Sequence, residues 1–319
     1  MGSGRRGSPI SLTPPDLRPH LDGDDLTVVA VQMASVIGDR IRNLETARHL
    51  LAAETLGPRT IVCLPELWST GHFGSILPVN DAYFDLAEDL EGPTISAMRP
   101  IAAAAGCAMV VPFFERTSLD EFFNSAAVID EHGEILGVYR KLHISHSSNG
   151  CEKYYMRPGD DLPVFTLFGW KVGIQICYDR DFPEPARALA LAGADLIFYP
   201  TSTSVAMRDL WRAVLTTRAY ENQVVAIGVG ACGRDGSGRY DLLGSSLVAG
   251  ASGDIADELS VAETGLLRSV VTRGDLRAAR LRRFMRRDRR EHVYARIPRL
   301  DTRRNVGESS PAQSDLLGA

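Results

Sequence analysis

The sequence predicts a layered α/β fold with mixed sheets, and three observations carry that prediction. Short apolar runs rich in β-branched residues alternate with stretches of helical period. Two hairpin-like pairs interrupt the alternation. No clear linker, repeat or low-complexity block divides the chain between about residues 26 and 300. Helices between strands imply parallel pairing, whereas hairpins require antiparallel pairing, so the sheets must be mixed. At 319 residues two domains are possible, but one domain over 26–300 is the simpler reading.

Residues 26–33 read as a strand, and 41–53 as a helix with Leu44, Ala47, Leu50 and Leu51 on one face. Residues 60–64 form the next strand, 95–105 a helix and 107–114 a strand. Strands at 125–130 and 134–139 flank Glu131-His132-Gly133, a hairpin signal. A strand at 171–177, a helix at 184–192, a strand at 196–199, a helix at 209–222 and a strand at 224–230 follow. A second hairpin-like pair spans about 242–249 and 254–256. The segments 1–25 and 301–319 are rich in Gly, Pro, Ser and charge and read as a flexible leader and tail.

Composition narrows the function classes. The chain is 45% apolar and 24% charged with a net charge of −5, so it can build a sizeable core. Its pI near 5.8 weakens a nucleic-acid-coating role. No apolar run approaches the length of a membrane span. Cys63, Cys107, Cys151, Cys177 and Cys232 are odd in number and lack a CxxC pair, which argues for a reducing cytoplasm rather than a disulfide scaffold. Scattered histidines without HExxH give no support to a metal site, and no cofactor is expected.

The most informative stretch is Val172-Gly-Ile-Gln-Ile-Cys-Tyr-Asp-Arg-Asp-Phe-Pro-Glu. Alternation puts Val172, Ile174 and Ile176 on one strand face and Gly173, Gln175 and Cys177 on the other. Cys177 ends the strand, and Pro183 and Glu184 suit a helix start. Strand, turn and helix would lift the sulfur to the sheet's rim beside helix-start amides, an environment that favours thiolate. Against this stands the ordinary role of a lone cysteine as a small buried hydrophobe. Cysteine chemistry also needs a proton acceptor, and no histidine occupies a comparable strand end. Two other charges do: Glu66 in LPELW and Lys141 in YRKLHI. The carboxylate can take the thiol proton and later activate water; the ammonium, with the Tyr178 backbone N–H, can stabilise an oxyanion. Glu152 can orient Lys141 or assist with protons.

At these residues the chain resembles the nitrilase superfamily of carbon–nitrogen hydrolases. LPELW, YRKLHI, EKYYMRPG and ICYDRDFPEPAR match in order, supported by GADLIFYPTSTS, RAYENQVV at 218–225 and LRRFMRRDRREHVY, so the likeness covers roughly 27–295. The resemblance implies an αββα sandwich, often paired into a homodimer, and a Glu–Lys–Cys triad carried by Glu66, Lys141 and Cys177 with Glu152 as an additional acid. Cys177-Tyr178-Asp179 is similar to the N-carbamoyl-amine amidohydrolase, β-ureidopropionase and amidase branches rather than to true nitrilases. Within that likeness Arg180 could fork onto a substrate carboxylate, and Tyr178, His143 and Trp211 join it as substrate-binding candidates. Asp181 stands where some relatives carry a second Arg, which suits an amine-bearing substrate instead. A family Asn after the strand at 224–227 is replaced by Gly228-Val-Gly.

Two other signals are weaker. Gly228-Val-Gly-Ala-Cys-Gly233 fits GxGxxG, but Arg-Asp-Gly-Ser-Gly follows it and breaks helices, so no dinucleotide site is expected. Residues 268–304 hold 14 arginines against 4 acidic residues; a charged helix and a dimer-contacting tail account for them better than RNA does. The expected activity is hydrolysis of a linear amide or ureido group through a thioester, on a small-molecule substrate without nucleic-acid or membrane partners. Acyl transfer to an amine is the alternative, because the triad does not distinguish water from another acceptor. A non-catalytic use of the fold is the third reading.

Overall fold

The computed structural model describes residues 25–147 and 150–294. The expected leader up to residue 24 and everything after residue 294, including the expected domain end near 300, lie outside them. The chain divides into two units, Met1–Met285 and Arg286–Ala319; the described part of the second contains one short helix, Glu291–Tyr294.

The first unit is an αββα sandwich built from two six-stranded mixed sheets. In the first sheet β1 (Leu26–Gln32), β2 (Thr60–Cys63) and β3 (Ala108–Arg116) run parallel. Antiparallel β4 (Phe122–Ile129) and β5 (Ile135–Arg140) extend one side. In the second sheet β9 (Trp170–Ile174), β10 (Leu196–Thr201) and β11 (Val225–Gly230) are the parallel centre. It is flanked by β8 (Phe165–Leu167), β12 (Leu247–Ala249) and β13 (Ile255–Glu258). A two-stranded ribbon, β6 (His146–Ser147) and β7 (Gly150–Cys151), lies apart.

Alternation along each strand sorts its side chains into two cores. Val28, Ala30, Ile61 and Cys63 from one sheet and Val172, Ile174, Phe198 and Ile227 from the other fill the space between the sheets. Val29, Val31, Val62 and Met109 face away, against Leu44 and Ala47 of α1 (Arg40–Ala52) and Met98 of α2 (Pro93–Ala105). On the second sheet's outer face, Ile197, Tyr199 and Ala226 pack against Leu189 of α4 (Pro183–Leu191) and Trp211 and Leu215 of α5 (Arg208–Asn222). Strands buried on both faces explain why the central runs read as continuously apolar. β2 and β5 point the same way, so their carboxyl ends share one rim of the first sheet, while β9 and β10 share one rim of the second.

The expected strand over 171–177 stops at Ile174, because the backbone turns before the cysteine. The expected strand from 242 begins only at Leu247. Four strands escaped the sequence reading: the two-residue β6 and β7, the three-residue β8, and β14 (Gly265–Val271), which pairs with all of β1 from Leu26↔Val271 to Gln32↔Gly265. Arg268 on the exposed face of β14 weakens its apolar pattern. The arginine-rich stretch forms α6 (Arg273–Arg282). Arg273 and Arg280 grip Asp195 at 3.5 and 2.9 Å, and Arg273 lies over the Trp170 ring at 4.3 Å. The GxGxxG glycines serve packing: a Cβ on Gly230 would lie 1.9 Å from the Gly244 carbonyl oxygen. Gly230→Ala is expected to cost about 3 kcal/mol or more through this backbone clash. Gly57→Ala, where nothing lies within 4 Å, should change stability by less than about 0.5 kcal/mol in denaturant unfolding.

Candidate active site

Four strand ends converge. Glu66 follows β2 across Leu64 and Pro65; Lys141 immediately follows β5; Cys177 comes three residues after β9; Ser202 immediately follows β10. Strand ends at one rim of a sheet hold side chains rigidly while leaving the loops free to vary, which suits a site. Lys141 is fully buried, and Glu66 and Glu152 nearly so. The Lys141 Nζ donates to Glu66 Oε1 and to Glu152 Oε2, both at 2.8 Å. Glu66 also accepts from Asn124 Nδ2 at 2.8 Å and, through Oε2, from the Ser202 backbone N–H at 2.8 Å. The same Ser202 offers its carbonyl oxygen to Cys177 Sγ at 3.8 Å. One residue therefore ties the carboxylate to the thiol.

Glu152 opens a one-turn helix, α3 (Glu152–Tyr155), after the β6–β7 ribbon. It accepts from the Ser145 backbone N–H at 3.3 Å and pairs with His72 Nε2 at 2.9 Å. Burial alone would push its pKa up, but Lys141 and His72 hold it well below the ordinary carboxylate value. Burial likewise works against the Lys141 ammonium, yet the charges of Glu152 and Glu66 keep its pKa well above normal. Glu66, His72 and Glu152 present ligand atoms within 4.8 Å of one another. A metal ion placed there would have to displace the ammonium that already bridges the two carboxylates.

Cys177 departs from the sequence expectation in two ways. It sits at φ +49° in a tight turn (Cys177–Asp181) rather than at the end of a strand. A non-glycine residue in the left-handed region typically stores about 1–3 kcal/mol of strain. The helix-start amides of α4 lie beyond that turn, and the thiol is not held as thiolate. Burial, then the negative charge of Glu66, pushes its pKa up to about 12 against the opposing pull of Lys141 and Arg180. A thiol in this state must lose its proton before or during any attack it makes.

The remaining predicted residues divide. Tyr178 is half-buried, its ring edge-on to Phe182 at 5.1 Å. His143 stacks on Phe182 at 3.7 Å and binds Asp179 Oδ1 through both its backbone N–H and Nδ1 at 2.8 Å. Asp179 is fully buried and also accepts from the Tyr139 hydroxyl at 2.6 Å and the Ile176 N–H at 2.9 Å, so it pins the turn that carries Cys177. Trp211, expected at the substrate, is fully buried in the helix-side core with its indole N–H on the Ser245 carbonyl at 2.9 Å. Gly228 provides the space for it: a Cβ there would meet the indole at 2.3 Å. Arg180, expected to face a substrate carboxylate, is 3% exposed and turned toward Cys177 Sγ and the Trp211 ring.

Sequence reasoning missed Asn124, His72, Ser202 and Asp179. Asn124 is the polar interruption of an apolar strand, a weak signal; His72 and Ser202 lie in loops without any. Missed too was Asp235, which lines a small cleft together with Glu66, His72, Ser75, Ser202 and Tyr240. Burial alone would push the Asp235 pKa up, but donors from Ser237, Tyr240 and Arg239 hold it below the ordinary value.

The His72 pKa gives a pH signature. Burial lowers it, but the Glu152 hydrogen bond and the charges of Glu66 and Glu152 raise it above 6.5 overall. A folded-state pKa above the unfolded one means this pair stabilises the fold fully below about pH 6.5 and loses that contribution as pH rises through the folded value. Unfolding free energies of wild type should therefore decline across that window more steeply than those of His72→Gln; equal slopes would remove the pair from the account.

A profile of the carbon-nitrogen hydrolase family matches residues 27–281. The chain is 32% identical over 291 residues to N-carbamoylputrescine amidase from Solanum lycopersicum, covering 86% of this chain and 96% of that protein. It is similar in structure to a carbon-nitrogen hydrolase from Helicobacter pylori G27, with a TM-score of 0.77 and 27% identity over 85% of this chain and 97% of that one. A mutant amidase from Nesterenkonia sp. AN1, with the acetamide moiety of fluoroacetamide covalently added at its active-site cysteine, superposes with a TM-score of 0.72. It is 25% identical and covers 87% of this chain and 98% of that one. Sequence and architecture agree over nearly all the described residues: the chain belongs to the carbon-nitrogen hydrolase family and is an enzyme of hydrolytic carbon–nitrogen bond cleavage.

Proposed function

We propose that this hydrolase acts on the ureido group of an N-carbamoyl amine, with Cys177 as nucleophile, Glu66 as general base and Lys141 and Glu152 as the charged frame around them. The observation that carries the reading is the meeting of Glu66 and Cys177 at Ser202, with Lys141 bridging Glu66 to Glu152. Cys177 Sγ attacks the carbonyl carbon while its proton passes to Glu66. The ammonium of Lys141 and the Tyr178 backbone N–H supply positive charge for the oxyanion. Glu66 returns the proton to the departing nitrogen, ammonia leaves, and an S-linked thiocarbamate remains. Water, deprotonated by Glu66, then releases a carbamic acid that splits into amine and carbon dioxide.

The far end of the substrate is argued from charge. Arg180 is committed to the cysteine side and Asp181 stands beside it, so neither offers a fork to a carboxylate. The cleft wall instead presents Asp235, an ionised carboxylate whose hydrogen bonds come from hydroxyls and backbone N–H groups, while Arg234 of the same wall is taken up by Asp241 at 3.0 Å and by the Gly238 carbonyl. A carboxylate in such a cleft attracts an ammonium and repels another carboxylate, which favours a carbamoylated diamine over an N-carbamoyl amino acid.

Ammonia release from a panel of N-carbamoyl diamines, N-carbamoyl amino acids and simple carboxamides tests the reading. The diamine derivative should be cleaved fastest, and Cys177→Ala should lose about 10⁴-fold or more in rate. Turnover by that variant, or activity confined to simple carboxamides, would overthrow it. Asp235→Asn should lower kcat/KM for the diamine derivative by about tenfold, the equivalent of one charge-assisted hydrogen bond, and leave neutral carboxamides nearly unchanged.

A further inference from the structure

Arg180 is an unusual neighbour for a nucleophile. The residue is 3% exposed, with Nη1 3.6 Å from Cys177 Sγ. It lies over the Trp211 ring at 5.5 Å, and its Nε is 3.5 Å from Asp181 Oδ1. Its carbonyl oxygen accepts from Arg218 Nη2 at 3.2 Å, which anchors the turn to α5. A buried guanidinium needs a strong reason to be there, since removing it from water is costly unless a partner gains by it. Here its neighbours are a carboxylate, an aromatic face and a sulfur.

We infer that Arg180 is a catalytic residue that stabilises the developing Cys177 thiolate, and that Asp181 tunes it by sharing the guanidinium. This rests on Cys177 being the nucleophile. The charges facing Sγ come from separate elements: Glu66 after β2, Lys141 after β5, Glu152 on α3 and Arg180 on the sulfur's own turn. Burial, then the charge of Asp235 and least that of Cys177, pushes the Tyr240 hydroxyl up. Lys141 is already shared between two carboxylates. Glu66 and Glu152 oppose the thiolate, so a second cation at the sulfur offsets part of the cost of the charge that develops there during attack. A guanidinium is planar, so Arg180 can hold Trp211 with its face while its edge meets the sulfur.

Alkylation of Cys177 by iodoacetamide tests this without reference to any substrate. The thiolate displaces iodide, a C–S bond forms and the thiol proton goes to solvent, so the rate against pH reports the thiolate fraction. Peptide mass spectrometry separates Cys177 from the other cysteines. Arg180→Gln should move the midpoint of the profile upward and slow alkylation about tenfold at fixed pH, the counterpart of about one unit of pKa. Arg180→Lys should recover part of the loss. Asp181→Asn, a change at a part-exposed position, should shift the midpoint down and speed alkylation, and it keeps the test open if Arg180→Gln folds poorly. Profiles unmoved by either change would overturn the inference. So would an Arg180→Gln defect confined to KM for carboxylate-bearing substrates, the mark of a substrate clamp. If Cys177→Ala retained activity while these profiles shifted, the nucleophile assignment would fail instead.

Discussion

One buried ammonium holds the site together. Lys141 has no exposed surface, yet it stands between Glu66 and Glu152 at 2.8 Å from each. Two carboxylates brought this close inside a protein would repel, and one would take up a proton. The lysine removes that conflict, and the second carboxylate is balanced further by His72 at 2.9 Å. Every subsequent feature follows from keeping this charge pattern intact: the backbone N–H of Ser202 and the amide of Asn124 satisfy Glu66, and the N–H of Ser145 helps satisfy Glu152. Such a network is costly to bury and costly to break, so it specifies a single arrangement of four strand ends.

The sandwich supplies the rigidity this pattern needs. Glu66 and Lys141 come from one sheet and Cys177 and Ser202 from the other, while the residues between the sheets are almost wholly aliphatic or aromatic. That apolar layer fixes the spacing between the sheets to the width of interlocked side chains. The turn at Cys177 then stores strain in a left-handed backbone, stabilised by Asp179, which takes hydrogen bonds from Tyr139, Ile176 and His143 at once. Asp179 fixes the backbone of the sulfur's turn, and the Arg180 guanidinium stands 3.6 Å from the sulfur itself.

Much of this was legible from residues alone. Layered α/β structure with mixed sheets follows from the alternation of apolar strands, helices and hairpins, the αββα sandwich from the family resemblance, and Glu66, Lys141 and Cys177 stand out because a charge or thiol ends an apolar run. What the pattern concealed has physical causes. β14 carries Arg268 on a solvent face, so its apolar signal is half a strand's worth, and its pairing with β1 spans more than 230 residues of sequence. Asn124 and Ser202 matter through one hydrogen bond each, which no local periodicity records. The expected thiolate was misjudged because helix-start amides were weighed and burial was not. Trp211 and Arg180 are substrate candidates through the family resemblance, which does not record packing: the space left by Gly228 turns the indole inward, and the guanidinium lies over it on the sulfur's side.

Unfolding free energies measure the charge balance around Lys141 directly. Replacing Lys141 by Met leaves two buried carboxylates facing each other and should cost about 3–5 kcal/mol. Adding Glu66→Gln and Glu152→Gln to that variant removes the uncompensated charges and should restore most of the loss, although the protein would be inactive. A Lys141→Met protein within about 1 kcal/mol of wild type, or a triple variant no more stable than the single one, would contradict the claim.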